Sequence, residues 1–154
     1  MTDQIGTPVV HTYAITGASG TLGSALTHRL LSEGHHVRGL ARNEHRMTAL
    51  LESLPSVYRE RFSPLCGDVR SRLRLARAFS RCDYVIHAAA MKHVGRCEYD
   101  PDEAVQTNIV GTQNVVDACL DVGVKRAVFI SSDKAVAPLN IYGYSKFLFD
   151  QAVR

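Results

Sequence analysis

Short apolar, β-branched runs alternate along the chain with longer stretches whose apolar positions recur at helical spacing. Strand followed by helix, repeated, predicts an α/β fold with a parallel sheet. The runs place strands at Val9–Thr16, His36–Ala41, Arg61–Cys66, Tyr84–Ala88 and Ala127–Ser131. Helices are expected at Thr21–Glu33, Glu44–Leu54, Ser71–Ser80 and Pro101–Val122, with a last one starting near Ile141. Pro64 removes a ladder donor and suits an edge strand. A doubly wound sheet of order 3-2-1-4-5 puts the third strand at that edge. In the longest helix, Val105, Ile109, Val116 and Leu120 stand at helical spacing, as core or interface packing requires.

Composition narrows this picture only a little. The 154 residues suffice for one domain, residues 1–154, able to bury roughly two thirds of its unfolded surface. The net charge of +3 owes much to arginine. Arg70, Arg74, Arg77 and Arg81 line one predicted helix face and Leu73, Ala76 and Phe79 another, an ordinary amphipathic helix with a solvated basic side. Without interleaved aromatics or a reading motif, that stripe gives no ground for a nucleic-acid partner. Cys66, Cys82, Cys97 and Cys119 have no C-x-x-C spacing, which suits thiols in a reducing compartment. His93 and Cys97 alone do not make a metal site. Met1–Pro8 is polar and no apolar run approaches a membrane span, so a cytoplasmic chain with no membrane partner is expected.

Chemistry begins right after the first strand, at Thr16-Gly17-Ala18-Ser19-Gly20-Thr21-Leu22-Gly23. Small residues in a strand–turn–helix setting let backbone amides and the positive helix end meet a pyrophosphate. The second strand ends in Arg42-Asn43-Glu44, with Arg46 one turn further on. Guanidinium there matches a 2′-phosphate and favours NADP over NAD; solvated helix-start arginines are the alternative, and Glu44 could point either way. Asp68 and Val69 follow the third strand, and His87-Ala88-Ala89-Ala90 ends the fourth. Small side chains at Ala88 and Ala89 would let backbone lie against a cofactor, and His87 is expected to be a satisfied core histidine.

The fifth strand runs into Ser131-Ser132-Asp133-Lys134, and Tyr142-Gly143-Tyr144-Ser145-Lys146 follows. On a helix the Lys146 ammonium shares a face with the Tyr142 phenol and lowers the cost of phenolate, which suits a tyrosine that moves protons. Asp133 and Lys134 are either reacting groups or a solvated pair at a strand end.

Taken together, the G-x-x-G-x-x-G loop, Met91-Lys92-His93-Val94, Thr107-Asn108-Ile109-Val110-Gly111-Thr112 and Ser132 through Lys146 resemble the extended short-chain dehydrogenases that act on nucleotide sugars. The closer likeness is to UDP-N-acetylglucosamine 4,6-dehydratases of polysaccharide pathways. The resemblance implies a Rossmann fold and a recycled NADP. Tyr142 would take the sugar 4-hydroxyl proton, Lys146 would hold the nicotinamide ribose, and Ser132 would bond the reacting oxygen. Lys134 would act as base at C5 and Asp133 as acid for the departing 6-hydroxyl. Lys92 would lie near cofactor and substrate, His93 near substrate, and Asn108 would help orient Lys146.

Members of that family continue for about another domain beyond the catalytic lysine. The expectation is thus an NADP-binding Rossmann domain without its substrate-binding lobe, a truncated homologue or one half of a split enzyme, that forms a homo-oligomer or associates with a missing C-terminal half and is not expected to be active alone. Other readings are a nucleotide-sugar epimerase or reductase, and a non-catalytic NADP-binding or assembly module.

Overall fold

The computed structural model describes residues 9–153. Five parallel strands form one sheet: β1 (Thr12–Thr16), β2 (His36–Ala41), β3 (Phe62–Cys66), β4 (Tyr84–His87) and β5 (Arg126–Phe129). Their order is β3-β2-β1-β4-β5, as the doubly wound reading requires. Pro64 lies in β3, an edge strand that pairs with β2 alone. β1 begins later than its apolar run. The register opens at Thr12 opposite His36, the first residue of β2, so Val9 and Val10 find no partner and stay exposed. The polar start Met1–Pro8 lies outside the described residues.

Helices α1 (Thr21–Ser32), α2 (Glu44–Ser53), α3 (Ser56–Arg59), α4 (Arg72–Phe79), α5 (Val94–Tyr99), α6 (Pro101–Val105), α7 (Gly111–Val122) and α8 (Ile141–Ala152) fill the connections. α3 and α5 went unforeseen because they are too short for an apolar period to develop. Alternation along the strands sends side chains to two cores. Ile15, Val37 and Phe62 pack with Leu31, Met47 and Leu50 of α1 and α2. Ala14, Leu40 and Val85 pack on the other face with Leu75, Phe79, Val115 and Ala118 of α4 and α7. Each fully buried leucine among them contributes about 2 kcal/mol.

Two predicted stripes are rotated. In α4 the buried residues are Leu75, Ala78 and Phe79, whereas Leu73 is exposed. Ser71 caps this helix by accepting from the Arg74 amide, and Arg70 and Arg81 lie outside it. Arg72 pairs with Asp117 and Asp121 and ties α4 to α7. On the helix from Pro101 the inner face is made of Ala104, Thr107, Asn108, Gly111, Thr112 and Val115. Val105 and Leu120 face outward. Small residues turn inward because the helix sits close to its neighbours: a Cβ on Gly111 would stand 2.6 Å from Cγ2 of Val69, on the loop between β3 and α4. Gln106–Val110 forms a π turn that joins α6 to α7.

Close approach also fixes the loop after β1. Gly17 has φ +71°, and a Cβ there would lie 2.8 Å from the Ala89 nitrogen. Gly17→Ala should cost about 2 kcal/mol or more. Gly95, inside α5 with nothing within 4 Å of an added Cβ, should tolerate alanine with a gain of about 0.5 kcal/mol. Urea denaturation of both variants checks this; equal costs would contradict the packing described.

Candidate active site

The carboxyl ends of β1, β2, β3 and β4 bring the predicted cofactor residues to one edge of the sheet. Gly17 donates its amide to the Leu40 carbonyl, fastening the loop to β2. Gly23 packs α1 onto that loop so tightly that a Cβ would collide with the Gly17 carbonyl. α1 follows Gly20, which offers no side-chain cap, and has no acidic residue in its first turn. By contrast Asn43, Ser71, Asp100 and Asn140 each cap a helix. The uncapped start at Thr21, Leu22 and Gly23, beside Ser19 and the thin Ala88–Ala89 wall, fits a pyrophosphate.

The expected 2′-phosphate arginine is engaged. Arg42 Nη1 lies 3.2 Å from Glu103 Oε1 and 3.8 Å from Asp68 Oδ2. Arg70 binds the same two acids, Asp68 at 2.6 Å and Glu103 at 2.9 Å. Burial works against the Asp68 carboxylate, but hydrogen bonds from Arg70 and the charges of Arg70 and Arg42 outweigh it and hold its pKa below the usual range. Asn43 is the α2 cap, accepting from the Arg46 amide, and the Arg46 side chain is exposed. The Val69 side chain belongs to the core, which leaves only its backbone for a ligand.

His87 is buried, as expected, and its bonds form a directed chain. The Thr112 hydroxyl donates its one proton to the Asn108 carbonyl at 2.7 Å. At 3.1 Å from His87 Nε2 it must therefore accept, which puts the imidazole proton on Nε2. Nδ1 then accepts from the Thr16 hydroxyl at 2.6 Å, and Thr16 Oγ1 in turn accepts from the Ala89 amide. Burial, with the Lys146 charge adding, pushes the His87 pKa down to about 3.

Asn108 continues the network from the π turn. Its side chain accepts from the Met91 amide and donates to the Met91 carbonyl and to Ser145 Oγ on α8. Lys146 is buried on the same helix; Nζ donates to the Ile130 carbonyl at 2.8 Å and lies 3.8 Å from the Phe149 ring centre. Burial lowers its pKa to about 8, with Asp150 opposing. Tyr142 is buried against Cys97 and Ala104 one turn earlier, and the Glu98 carboxylate accepts the Ile141 amide that precedes it. Lys146 therefore hands its proton on more readily than an ordinary lysine.

Ser132, Asp133 and Lys134 form a turn in a different setting. The Ser132 hydroxyl donates to Asp133 at 3.0 Å, and Lys134 Nζ lies 3.2 Å from the same oxygen. Asp133 is 83% exposed. The Ser132 bond, then the Lys134 bond and charge, hold its carboxyl below the usual range. Lys92 and His93 are exposed, and His93 stands at the cap position of α5. Sequence reasoning missed the Ile130 carbonyl, Glu98, Glu103 and Arg70. A carbonyl has no residue signature, and the acids are ordinary helix residues until the fold brings them in. Among the described residues no three His, Cys, Asp or Glu side chains gather as metal ligands, and no helix is long and apolar enough to cross a membrane.

Fold and site together define a short-chain dehydrogenase/reductase of the nucleotide-sugar dehydratase and epimerase group. A profile described as "Polysaccharide biosynthesis protein" matches residues 13–154, and the chain belongs to that family. A UDP-N-acetylglucosamine 4,6-dehydratase (inverting) of Campylobacter jejuni is 40% identical, over 89% of this chain and 41% of that protein. A UDP-glucose 4-epimerase of Rickettsia rickettsii is 35% identical, over 91% of this chain and 42% of its own length. A Methanocaldococcus jannaschii protein named an uncharacterized membrane protein is 42% identical, over 91% of this chain and 41% of its own. The solved structure of Pen from Bacillus thuringiensis superposes with a TM-score of 0.89 at 40% identity, over 93% of this chain and 44% of that one. The chain thus spans about two fifths of the length of these curated relatives.

The His87 chain predicts a pH response. The unfolded imidazole binds its proton near 6.5 and the folded one near 3, so the unfolded state holds more protons between them. Stability therefore falls as pH drops from about 6.5 to 4, before most carboxylates titrate. Denaturation midpoints should show this slope in the wild type and a flatter one in His87→Asn. Nitrogen NMR should find His87 neutral with bare Nδ1 across that range; a ring that titrates near 6.5 would contradict the burial.

Proposed function

We propose that this chain carries the dinucleotide-binding and proton-transfer groups of an NADP-dependent 4,6-dehydratase acting on UDP-N-acetylglucosamine. The observation that carries the proposal is the convergence of an uncapped α1 start, the Ala88–Ala89 wall, buried Tyr142 and Lys146, and the Asp133–Lys134 turn. The dehydratase relative supports it, and so does the acid–lysine pair, which simple redox chemistry does not require.

NADP, when bound, would take a hydride from C4 of the sugar and return it at C6. Gly17, Ser19, Gly20, Thr21, Leu22 and Gly23 would hold its pyrophosphate, with Ala88 and Ala89 against the nicotinamide half. Asp68 and the Val69 backbone would serve the adenine, Arg42, Asn43 and Arg46 the 2′-phosphate, and Lys92 would lie near both cofactor and substrate. Tyr142 would take the 4-hydroxyl proton, with Lys146 one turn on as its cationic partner. Lys134 would remove the C5 proton, and Asp133 would protonate the leaving 6-hydroxyl. Those two roles require a neutral Lys134 amine and a protonated Asp133 carboxyl, so a bound sugar must cover the pair and favour the transfer of its proton from the amine to the carboxyl. We also place a homodimer on the outer face of α6 and α7, where Val105 and Leu120 are exposed.

A second reading, 4-epimerisation, uses Tyr142, Lys146 and the dinucleotide alone. It is favoured by the exposure and low pKa of Asp133 and by the epimerase relative. Incubation of UDP-N-acetylglucosamine and NADP+ with the chain, alone and joined to the C-terminal part of a relative, separates the two. Dehydration gives a 4-keto-6-deoxy sugar lighter by one water, and Asp133→Asn should slow it by about a hundredfold or more. A product of unchanged mass with C4 inverted selects the epimerase. No product from either preparation sinks both readings.

A further inference from the structure

Glu103 stands in the first turn of α6, far in sequence from both arginines it holds. Its two oxygens are divided between them, Oε1 3.2 Å from Arg42 and Oε2 2.9 Å from Arg70. Asp68 completes the group. Two guanidinium groups and two carboxylates sum to zero charge. Arg42 follows directly on the last residue of β2, the position from which a guanidinium accommodates the 2′-phosphate of a dinucleotide. A phosphate approaching Arg42 thus meets a guanidinium whose Nη1 is already engaged by a carboxylate.

We infer that Glu103 is a specificity-determining residue. Its carboxylate competes with the 2′-phosphate for Arg42 and so sets how far this site prefers the phosphorylated dinucleotide over the unphosphorylated one. The inference rests on the proposed dinucleotide site and adds a residue that never touches the cofactor and acts through Arg42. Arg70 shares the load: by holding Oε2 it keeps Glu103 in the bridging pose. NAD, with a hydroxyl at the 2′ position, does not need the Arg42 nitrogen that Glu103 holds, so its binding is insensitive to this residue.

Calorimetric titration with NADP+ and with NAD+ tests this on the wild type, Glu103→Gln, Arg42→Gln and the double variant. Glu103→Gln keeps the shape and removes the charge. NADP+ affinity should rise about tenfold while NAD+ affinity stays within about twofold. In the Arg42→Gln background the same substitution should have no effect on the NADP+ to NAD+ ratio, since the group through which it acts is gone. Circular dichroism checks that all four proteins are folded. A ratio unmoved by Glu103→Gln in a wild type that binds both dinucleotides overturns the inference and leaves the site intact. So does a gain that persists without Arg42. A folded wild type that binds neither dinucleotide overturns the proposed site itself, and this inference falls with it.

Discussion

A buried imidazole must satisfy both of its nitrogens, and in this chain that requirement ties the site together. His87, the last residue of β4, bonds Thr16 at the end of β1 and Thr112 in the first turn of α7. Thr16 reaches the Ala89 amide, and Thr112 reaches the Asn108 carbonyl in the π turn. Asn108 then clamps Met91 on the loop after β4 and Ser145 on α8. One unbroken set of bonds thus runs from the strand that carries the phosphate loop to the helix that carries Tyr142 and Lys146. His87 also stacks on Phe149, whose ring lies under the Lys146 ammonium.

The candidate groups fall into two electrostatic environments. Lys146 and Tyr142 are buried, and burial lowers the lysine pKa to about 8. The fold therefore holds the first two side chains in place without a ligand. Asp133 and Lys134 lie in solvent, where the Ser132 hydroxyl and then the Lys134 ammonium keep the acid deprotonated. The dehydration half of the proposed chemistry depends on what a bound sugar does to an exposed pair. A cleft of about 430 Å³ lies along β5, lined by Val116, Leu120, Ala127 and Phe129 among others, with none of the candidate site residues in its wall.

Strand order was legible because period, length and the awkwardness of Pro64 all pointed to one topology. Helix faces were less so. Leu73 and Leu120 looked like core because they are large, yet small residues such as Ala78, Ala104 and Gly111 are the ones turned inward, Ala78 onto the sheet, Ala104 onto Cys97 and Tyr142, and Gly111 onto Val69. Site residues announced by type and spacing, from Gly17 to Lys146, could be named from the chain. Their partners could not. The Ile130 carbonyl under Lys146 is backbone, Glu103 meets Arg42 across 61 positions, and the tautomer of His87 follows only from which hydroxyl has already spent its proton.

The central claim is that the carboxyl ends of the strands, not the cleft along β5, receive a dinucleotide. Amide chemical-shift mapping of the isotope-labelled chain titrated with NADP+ tests it most directly. The account predicts perturbations concentrated at residues 17–23, 42–46, 68–69 and 88–92. Shifts confined to Val116, Leu120 and Ala127, or no shifts at saturating NADP+, would contradict it.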